Sequence, residues 1–415
     1  MSCFQHSYKQ VCNPIARWLT ACLVIVITCT PLASAEPSKP PTVSPYVYNQ
    51  LKHAEQQMAA GAFNDALITL DKILQSSGNS AYARALAQQS SGWVYYQTDQ
   101  LNHAIKRFEL AIALNALPTA LEQHTRYNLA QMYLSAQQYD DAITTLKQWF
   151  ELSPTKHAEA YFLLASTYAA NHQYTHAITP ARRVLELFTP PAEHHYRFLL
   201  GLYFETTQPL KATLLLENLI LKFPHEKTYW LQLASLYSQQ NRSQDSLAAL
   251  NMAYQRELLT TSEEIVQLAQ LLLHLQNPIK AAQILEQEIN TGKVKSSHKN
   301  HALLASAWFN AREYQKALKP LQLAAQQSPS GDLYYRLAQA QFELEKYAAA
   351  IQHLELAQAK GPLKNPGSAH LLNAISHYQL ERLDSAYRHF ETALGFDSTK
   401  EQASQWLTYL RQTTR

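Results

Sequence analysis

The sequence predicts an all-α fold, an α-solenoid of about ten helix-turn-helix units followed by one C-terminal capping helix. The main observation is a pair of small residues, twelve positions apart, that returns every 33 to 38 positions. A period of this length is typical of repeat architectures, in which each unit packs on its neighbours. The first small position of nine units is occupied by Ala54, Gly92, Ala130, Ala165, Ala234, Ala269, Ala305, Ala338 and Ala374. The second small position is occupied by Ala66, Ala104, Ala142, Ala177, Ala212, Ser246, Ala281, Ala317, Ala350 and Ala386.

Helical spacing within the units is the second observation. An aromatic residue follows the first small position by three in most units, and leucine or phenylalanine follows the second small position by four, as Tyr133 and Leu146 do in the third unit. Steps of three and four place side chains on one face of a helix. The small residues allow two helices to approach closely, so each unit is predicted to be an antiparallel pair of a first and a second helix.

Proline positions agree with this division. Four prolines stand twelve residues after the second small position, where a residue that cannot continue a helix is expected to close the unit. Pro180 and Pro320 instead fall inside the second helices of units four and eight, where proline costs about 3 kcal/mol and predicts a bend. Two interpretations remain, a local adjustment of curvature or a hinge. The four closing prolines are Pro154, Pro224, Pro329 and Pro362.

The combined pattern resembles the tetratricopeptide repeat family. Ten units cover residues 48–398, and the fifth is out of register because Gly201 stands one place late. The segment Lys400 to Gln412 is predicted to be the capping helix within residues 399–415. The resemblance implies a right-handed superhelix. The best-matching unit carries the family motif at Trp230, Leu233, Ala234, Tyr237, Leu250 and Ala253.

The first 35 residues predict a secretory signal peptide. Lys9 and Arg17 precede the apolar run 18–27, and Ala33-Ser34-Ala35 offers a cleavage site. Residues 36–47, rich in proline, are predicted to be an extended linker. We therefore expect a periplasmic protein, with an uncleaved membrane anchor as the alternative interpretation of the leader.

All four cysteines, Cys3, Cys12, Cys22 and Cys29, lie in the leader, so a cleaved chain has no thiol for a disulfide or a metal site. Lipidation at Cys29 is disfavoured, because the preceding Val-Ile-Thr lacks the small residue usual before a lipidated cysteine.

The charge of the chain disfavours nucleic acid as a partner. Removing the leader with its two basic residues takes the net charge from +3 to +1, and nucleic-acid-binding proteins normally present a basic face. Three lysines cluster in the long connection between units seven and eight, where a solvated loop is predicted. These are Lys293, Lys295 and Lys299.

No sequence motif indicates catalysis. Neither a glycine-rich nucleotide loop, a nucleophile elbow nor a zinc-protease motif occurs. The histidine pairs His194-His195 and His298/His301 lack a further ligand at suitable spacing, so they are interpreted as packing or surface residues. We expect a protein that is not an enzyme and has neither cofactor nor metal.

The resemblance to tetratricopeptide repeats implies that the first helices line a concave wall that contacts the ligand. At the matching positions aromatic and amide side chains dominate, which suits an extended or helical peptide. Any one ring could equally pack on a neighbouring helix. The basic clamp of family members that bind acidic chaperone tails is absent at these positions. The predicted wall residues are Gln89, Trp93, Tyr96, Tyr127, Gln131, Phe162, Ser166, Phe204, Ser235, Gln270, Phe309, Tyr335, Gln339, Phe342, Leu371 and Tyr378.

Three segments are also similar to the exported tetratricopeptide proteins that accompany alternative TonB/ExbB/ExbD-type energy-transduction systems of marine gammaproteobacteria. They are residues 229–237, residues 253–259, and residues 281–286 together with 292–295, and Trp406-Leu-Thr-Tyr409 adds to the likeness. This resemblance implies a periplasmic adaptor in TonB-dependent uptake. The alternatives are a scaffold for cell-envelope or exopolysaccharide machinery and an envelope-polymer hydrolase. The hydrolase needs converging carboxylates, which the pattern does not show.

Overall fold

The computed structural model describes residues 42–76, 78–153 and 157–413. The predicted signal peptide and linker residues 36–41 lie outside this part of the chain. Within it, all regular structure is helical, with 21 α-helices and no strand, which confirms the predicted fold class. None of these helices is both long enough and apolar enough to span a membrane.

The helices alternate between the first and second members of successive pairs. In chain order they are α1 Pro45–Ala59, α2 Phe63–Gln75, α3 Ala81–Gln97, α4 Leu101–Ala113, α5 Thr119–Ser135, α6 Tyr139–Leu152, α7 Ala158–Ala170, α8 Tyr174–Leu187, α9 Glu193–Glu205, α10 Pro209–Lys222, α11 Lys227–Gln239, α12 Ser243–Gln255, α13 Ser262–His274, α14 Pro278–Asn290, α15 His298–Asn310, α16 Tyr314–Gln327, α17 Asp332–Glu343, α18 Tyr347–Lys360, α19 Pro366–Gln379, α20 Leu383–Leu394 and α21 Lys400–Thr413.

The recurring small residues form the contact between the two helices of each pair. In the second pair, Ala104 and Phe108 are fully buried. Gly92 of α3 lies so close to α4 that a Cβ atom there would be 2.5 Å from the Phe108 ring. A larger side chain at this position would force the two helices apart, which explains the period seen in the sequence.

Each pair turns through one residue in the left-handed conformation, although only the first of these residues is glycine. In the third pair Gln137 has φ of 61°, and the next backbone N–H, that of Gln138, donates to the carbonyl of Tyr133 at 2.8 Å. This bond reaches back five residues and caps the end of α5 as in a Schellman motif. The equivalent residues are Gly61, Asp99, His172, Thr207, Asn241, Gln276, Arg312, Glu345 and Glu381.

The chain divides into two compact units, with the boundary between Leu215 and Leu216 inside α10. In the N-terminal unit, one apolar cluster joins α1, α2 and α3, and another joins α3 to α6. In the C-terminal unit, the clusters of the last repeats join α17 to α21.

The C-terminal helix α21 covers the tenth helix pair, as predicted. Leu407 and Leu410 are buried in one cluster with Phe390 of α20. The indole of Trp406 stacks on the Phe390 ring at 5.4 Å between centroids.

Three local predictions can be compared with the structure. Helix α1 begins at Pro45 with Ser44 as its N-cap, three residues before the predicted start of the array. Helices α8 and α16 continue through Pro180 and Pro320, both buried. Among the clustered lysines, Lys293 pairs with Glu288 at 3.7 Å and Lys295 with Glu263 at 3.8 Å, and their side chains are solvent-accessible as predicted.

Candidate functional site

The predicted wall residues all lie on first helices of pairs, at three positions relative to the first small residue. They stand three before it, one after it, or four after it, except Phe204 in the out-of-register fifth pair. In the N-terminal unit they lie on α3, α5, α7 and α9, and in the C-terminal unit on α11, α13, α15, α17 and α19. Within each unit the three positions have different environments.

The position three before the small residue connects neighbouring pairs. Gln89 is only 8% exposed, and its Nε2 donates to Thr125 Oγ1 on α5 at 2.9 Å. It is therefore not available at the surface, contrary to the role predicted for it. The reason is that the next first helix lies within reach of its amide group.

Phe162 and Tyr335 also reach the next first helix from this position. The Phe162 ring meets the rings of His195 at 5.1 Å and Phe198 at 5.4 Å on α9. Burial raises the pKa of Tyr335, while donors on Ser368 of α19 and on Gln339 oppose the rise. Each ring is half-buried, so one part packs between repeats and the rest faces solvent.

Tyr127 occupies the same position in the third pair and is half-buried too. Its ring lies 6.0 Å from the indole of Trp149 on α6. Burial, with a smaller contribution from the Glu159 carboxylate, raises the pKa of Tyr127 to about 12. This phenol therefore stays neutral and can donate a hydrogen bond throughout the physiological range.

The position four after the small residue presents aromatic rings braced by the second helix of the same pair. Phe309 meets the Tyr314 ring at 5.2 Å, and Phe342 meets the Tyr347 ring at 5.4 Å, both edge to face. Both phenylalanine rings are half-buried. Rings held in this way lose little further freedom on binding, which favours them as contact residues.

In the second pair, Trp93 and Tyr96 meet edge to face at 5.8 Å, and the Trp93 ring also contacts buried Phe108 at 5.4 Å. Both are half-buried. They form a smaller aromatic surface in the N-terminal unit.

The position one after the small residue carries mainly amides and hydroxyls. Gln131, Ser235 and Gln339 are half-buried, and Gln270 is exposed. Ser166 is the exception, because it is buried and its Oγ has no hydrogen-bond partner.

The C-terminal capping helix contributes rings that the sequence reasoning did not place at the site. Tyr378 of α19 meets Trp406 at 5.2 Å, and its hydroxyl donates to the Tyr409 hydroxyl at 3.3 Å. An open cavity of about 490 Å³ lies beside them between α19 and α21. It is lined by Leu371, Ile375, Gln402, Gln405, Trp406 and Tyr409.

Arg336 is another residue that the repeat register did not predict to lie on the concave wall. Its Nη1 donates to Ser306 Oγ on α15 at 2.7 Å, and its guanidinium lies 5.2 Å from the centre of the Phe309 ring. Together with the contacts of Tyr335 and Tyr378, this bond places α15, α17, α19 and α21 side by side. We call the surface formed by Phe309, Arg336, Gln339, Phe342 and Tyr378 the C-terminal recognition face.

The tenth helix pair also contains a group of stacked histidines. His389 of α20 lies between His370 and His377 of α19, with ring centroids 5.8 and 5.4 Å away. Burial and the neighbouring rings lower the pKa of His389 to about 4. No group of three or more possible ligands has the arrangement of a metal site within the described residues.

Asn373 belongs to the same polar region and is fully buried. Both polar atoms of its amide lack a hydrogen-bond partner, as does Nδ1 of His377 one turn further on. In most other units a leucine stands at the position of Asn373, as Leu233 and Leu337 do.

Two segments of the chain match family models of the tetratricopeptide repeat, residues 127–190 and 331–359. They cover the third and fourth pairs of the N-terminal unit and the ninth pair of the C-terminal unit. The second segment includes Arg336, Gln339 and Phe342 of the C-terminal recognition face. It also includes Tyr335, which stands next to Arg336 in the sequence.

Several solved structures are similar to parts or most of the chain. A crystal structure of MamA protein shares 18% identity over 43% of this chain and 94% of its own, with a TM-score of 0.36. The structure of Naa15/Naa10 bound to HypK-THB shares 12% identity over 88% and 66%, with a TM-score of 0.44. YrrB, described as a TPR protein with an unusual peptide-binding site, shares 12% identity over 41% and 84%, with a TM-score of 0.33. No curated protein sequence is significantly similar to this chain.

Proposed function

We propose that this protein is an exported, periplasmic scaffold that binds a protein or peptide segment on the first helices of its repeats, and that it serves as an adaptor of a TonB-type uptake system. Tetratricopeptide repeats generally act as protein-interaction scaffolds without catalytic activity, and two stretches of the chain match them. The sequence of the leader supports export, and the resemblance of residues 229–237, 281–286 and 292–295 supports the TonB-type assignment.

The observation that carries the binding role is the C-terminal recognition face. It combines half-buried aromatic rings and a guanidinium, which are residue types enriched at protein interfaces, with one amide. The adjoining cavity between α19 and α21 is open and has room for a side chain of a bound segment. The placement of these groups along the three helices α15, α17 and α19 suits an extended or helical peptide.

Affinity capture from envelope fractions tests the binding role. The tagged protein is compared with Phe342→Ala and with Leu356→Ala, in which the altered side chain is 48% exposed but lies on second helix α18. We expect a set of partners, including TonB-, ExbB- or ExbD-type components, that is lost with Phe342→Ala and kept with Leu356→Ala. If both variants keep the same partners as the wild type, the C-terminal recognition face is not the binding surface.

Location and partner class have separate readouts. Osmotic-shock fractionation is expected to release the protein with periplasmic markers, and retention in the cytoplasm would contradict export. If the captured partners are envelope-assembly or exopolysaccharide proteins, the scaffold role stands and the TonB-type assignment is wrong.

A further inference from the structure

The environment of Arg336 carries a more specific conclusion about the partner. Its guanidinium is half-buried on α17, bonded to the Ser306 hydroxyl and placed over the face of the Phe309 ring. Both contacts are with residues of α15, at the two positions of the repeat that follow the small residue Ala305. The guanidinium therefore lies across the surface where a segment bound to the first helices would run.

No carboxylate compensates this charge. Arg336 forms no ion pair with any acidic residue in the described part of the chain, and burial alone lowers its pKa, without an opposing contribution from a neighbouring acid. A cation withdrawn from water without a counter-ion is costly, whereas a well-oriented carboxylate would recover that cost. An anion bound at this point would supply the missing counter-ion.

Arg242 of the same unit shows the difference. Its guanidinium also lies over a ring, that of Tyr237 at 4.4 Å, but its Nε donates to Asp245 at 2.7 Å. It therefore has its counter-ion within the chain. Arg336 has the ring and lacks the carboxylate.

The residues around Arg336 suit a peptide carboxylate. Gln339 stands three residues further along α17, on the same side of the helix, and its amide can donate to the same ligand. The ring of Phe309 provides apolar surface beside the guanidinium, and Phe342 stands three residues beyond Gln339 on the same helix. Guanidinium and amide donors beside aromatic rings favour an acidic side chain flanked by apolar ones.

We propose that Arg336 binds the carboxylate of an aspartate or glutamate in the peptide segment held by the C-terminal recognition face. This inference rests on the proposed peptide-binding function and specifies the chemistry of its ligand. It differs from a basic clamp, because one guanidinium supported by Ser306 and Phe309 provides the charge.

Selection from a random peptide library displayed on phage tests the inference. The purified full chain, Arg336→Gln and Arg256→Gln are used in parallel. Arg256 is the matched control, an exposed arginine over the ring of Trp230 at 5.7 Å in the same unit. We expect the wild type and Arg256→Gln to select peptides enriched in aspartate or glutamate beside aromatic residues, and Arg336→Gln to lose the acidic enrichment.

The selected peptide is then synthesised with its acidic residue and with the corresponding amide, and binding is measured by fluorescence anisotropy. Replacing the acid should weaken binding to the wild type about tenfold, and should have little effect on binding to Arg336→Gln. Arg336→Lys, which keeps the charge without the planar fork, should bind with intermediate affinity. Circular dichroism of each variant checks that it remains folded.

The outcomes separate this inference from the function on which it rests. Peptides that bind without acidic enrichment, or an acidic residue whose removal weakens binding to Arg336→Gln as much as to the wild type, would overturn the role of Arg336 and leave peptide binding intact. If no peptide is selected by any form, both the inference and the peptide-binding function are contradicted.

Discussion

The Tyr133 hydroxyl donates a 2.7 Å hydrogen bond to Glu109, which lies on α4 of the preceding helix pair. Tyr237 donates to Glu217 at the same distance in the C-terminal unit. In both cases the tyrosine stands three residues after the first small position, and the glutamate five residues after the preceding second small position. These residues form a link between repeats that recurs at a fixed register. The equivalent position in the fourth pair is occupied by Arg182. Burial raises the pKa of Tyr203 in the next pair, and the charge of Arg182 opposes that rise.

Removing this link is expected to weaken the contact between two repeats. We predict that Tyr133→Phe lowers the free energy of unfolding by about 1 kcal/mol, because it removes one hydrogen bond to a partly exposed carboxylate. Urea unfolding followed by circular dichroism measures the change. The control is Tyr168→Phe, at a register where Lys147 replaces the glutamate. Equal losses in the two variants would show that the hydrogen bond to Glu109 contributes nothing specific.

Gly331, just before α17, should not tolerate a side chain. A Cβ atom there would overlap the backbone carbonyl oxygen of Ala357 on α18. Because backbone rather than a movable side chain occupies the space, we predict that Gly331→Ala destabilises the C-terminal unit by about 1–3 kcal/mol. Thermal unfolding checks this, with Gly78→Ala as a control that meets no atom within 4 Å. Equal melting temperatures for the two variants would contradict the close approach.

Asn373→Leu is expected to stabilise the protein. The amide is fully buried without a partner, and leucine restores the residue found at this position in neighbouring repeats. Removing two unsatisfied polar atoms should raise the free energy of unfolding by about 1–3 kcal/mol. The midpoint of urea unfolding provides the measurement. A lower midpoint would indicate that the Asn373 amide is hydrogen-bonded in solution.

The stacked histidines predict a loss of stability in acid. Their pKa values are lowered in the folded state, so between the unfolded value near 6.5 and about 4 for His389 the unfolded chain binds more protons. Stability should therefore be full above pH 6.5 and fall as the pH is reduced toward 4. Unfolding midpoints measured across this range should decline less steeply for His389→Gln than for the wild type. Parallel declines would contradict a role for His389.

The charged groups around these histidines act in both directions. Burial lowers the pKa of His377 most, Arg382 just before α20 and Arg388 on α20 also lower it, and Glu355 of α18 raises it. Neutralising a basic neighbour, as in Arg388→Gln, should shift the acid unfolding transition to lower pH than in the wild type. The reason is that removing this positive charge raises the folded-state pKa of His377 and His389 toward the unfolded value. The folded and unfolded chains then differ less in proton binding, so less stability is lost in acid. If Arg388→Gln is instead less stable than the wild type by the same amount at every pH, the effect of Arg388 is one of packing.

The sequence was sufficient to predict the helix pairs and their contact. Small and large apolar residues such as Ala104 and Phe108 recur because the close contact of two helices needs both, and both are buried in that contact. It also identified α21, since the apolar spacing of Leu407 and Leu410 requires a partner surface. The left-handed turn residues were not predicted, because residues such as Gln137 adopt this conformation under the demand of the helix pair and not by their own preference.

Register alone was less reliable at the recognition surface. It identifies the side of a helix on which Gln89 lies, but not that Thr125 of the next pair is close enough to bond its amide. Arg336 was missed for the converse reason, because its importance depends on Ser306 and Phe309, which lie about one repeat earlier in the sequence. Both cases depend on distances between repeats, which a single sequence does not record.

Site-specific photocrosslinking provides the most direct test of the central claim, that the C-terminal recognition face binds a protein partner. A photoreactive benzoylphenylalanine is placed at Gln339 on α17 or, as the control, at exposed Leu356 on α18, and intact cells are irradiated. We predict a discrete adduct with one protein from position 339 and none from position 356. An adduct from position 356 alone, or none from either position in cells that express the folded protein, would contradict the claim.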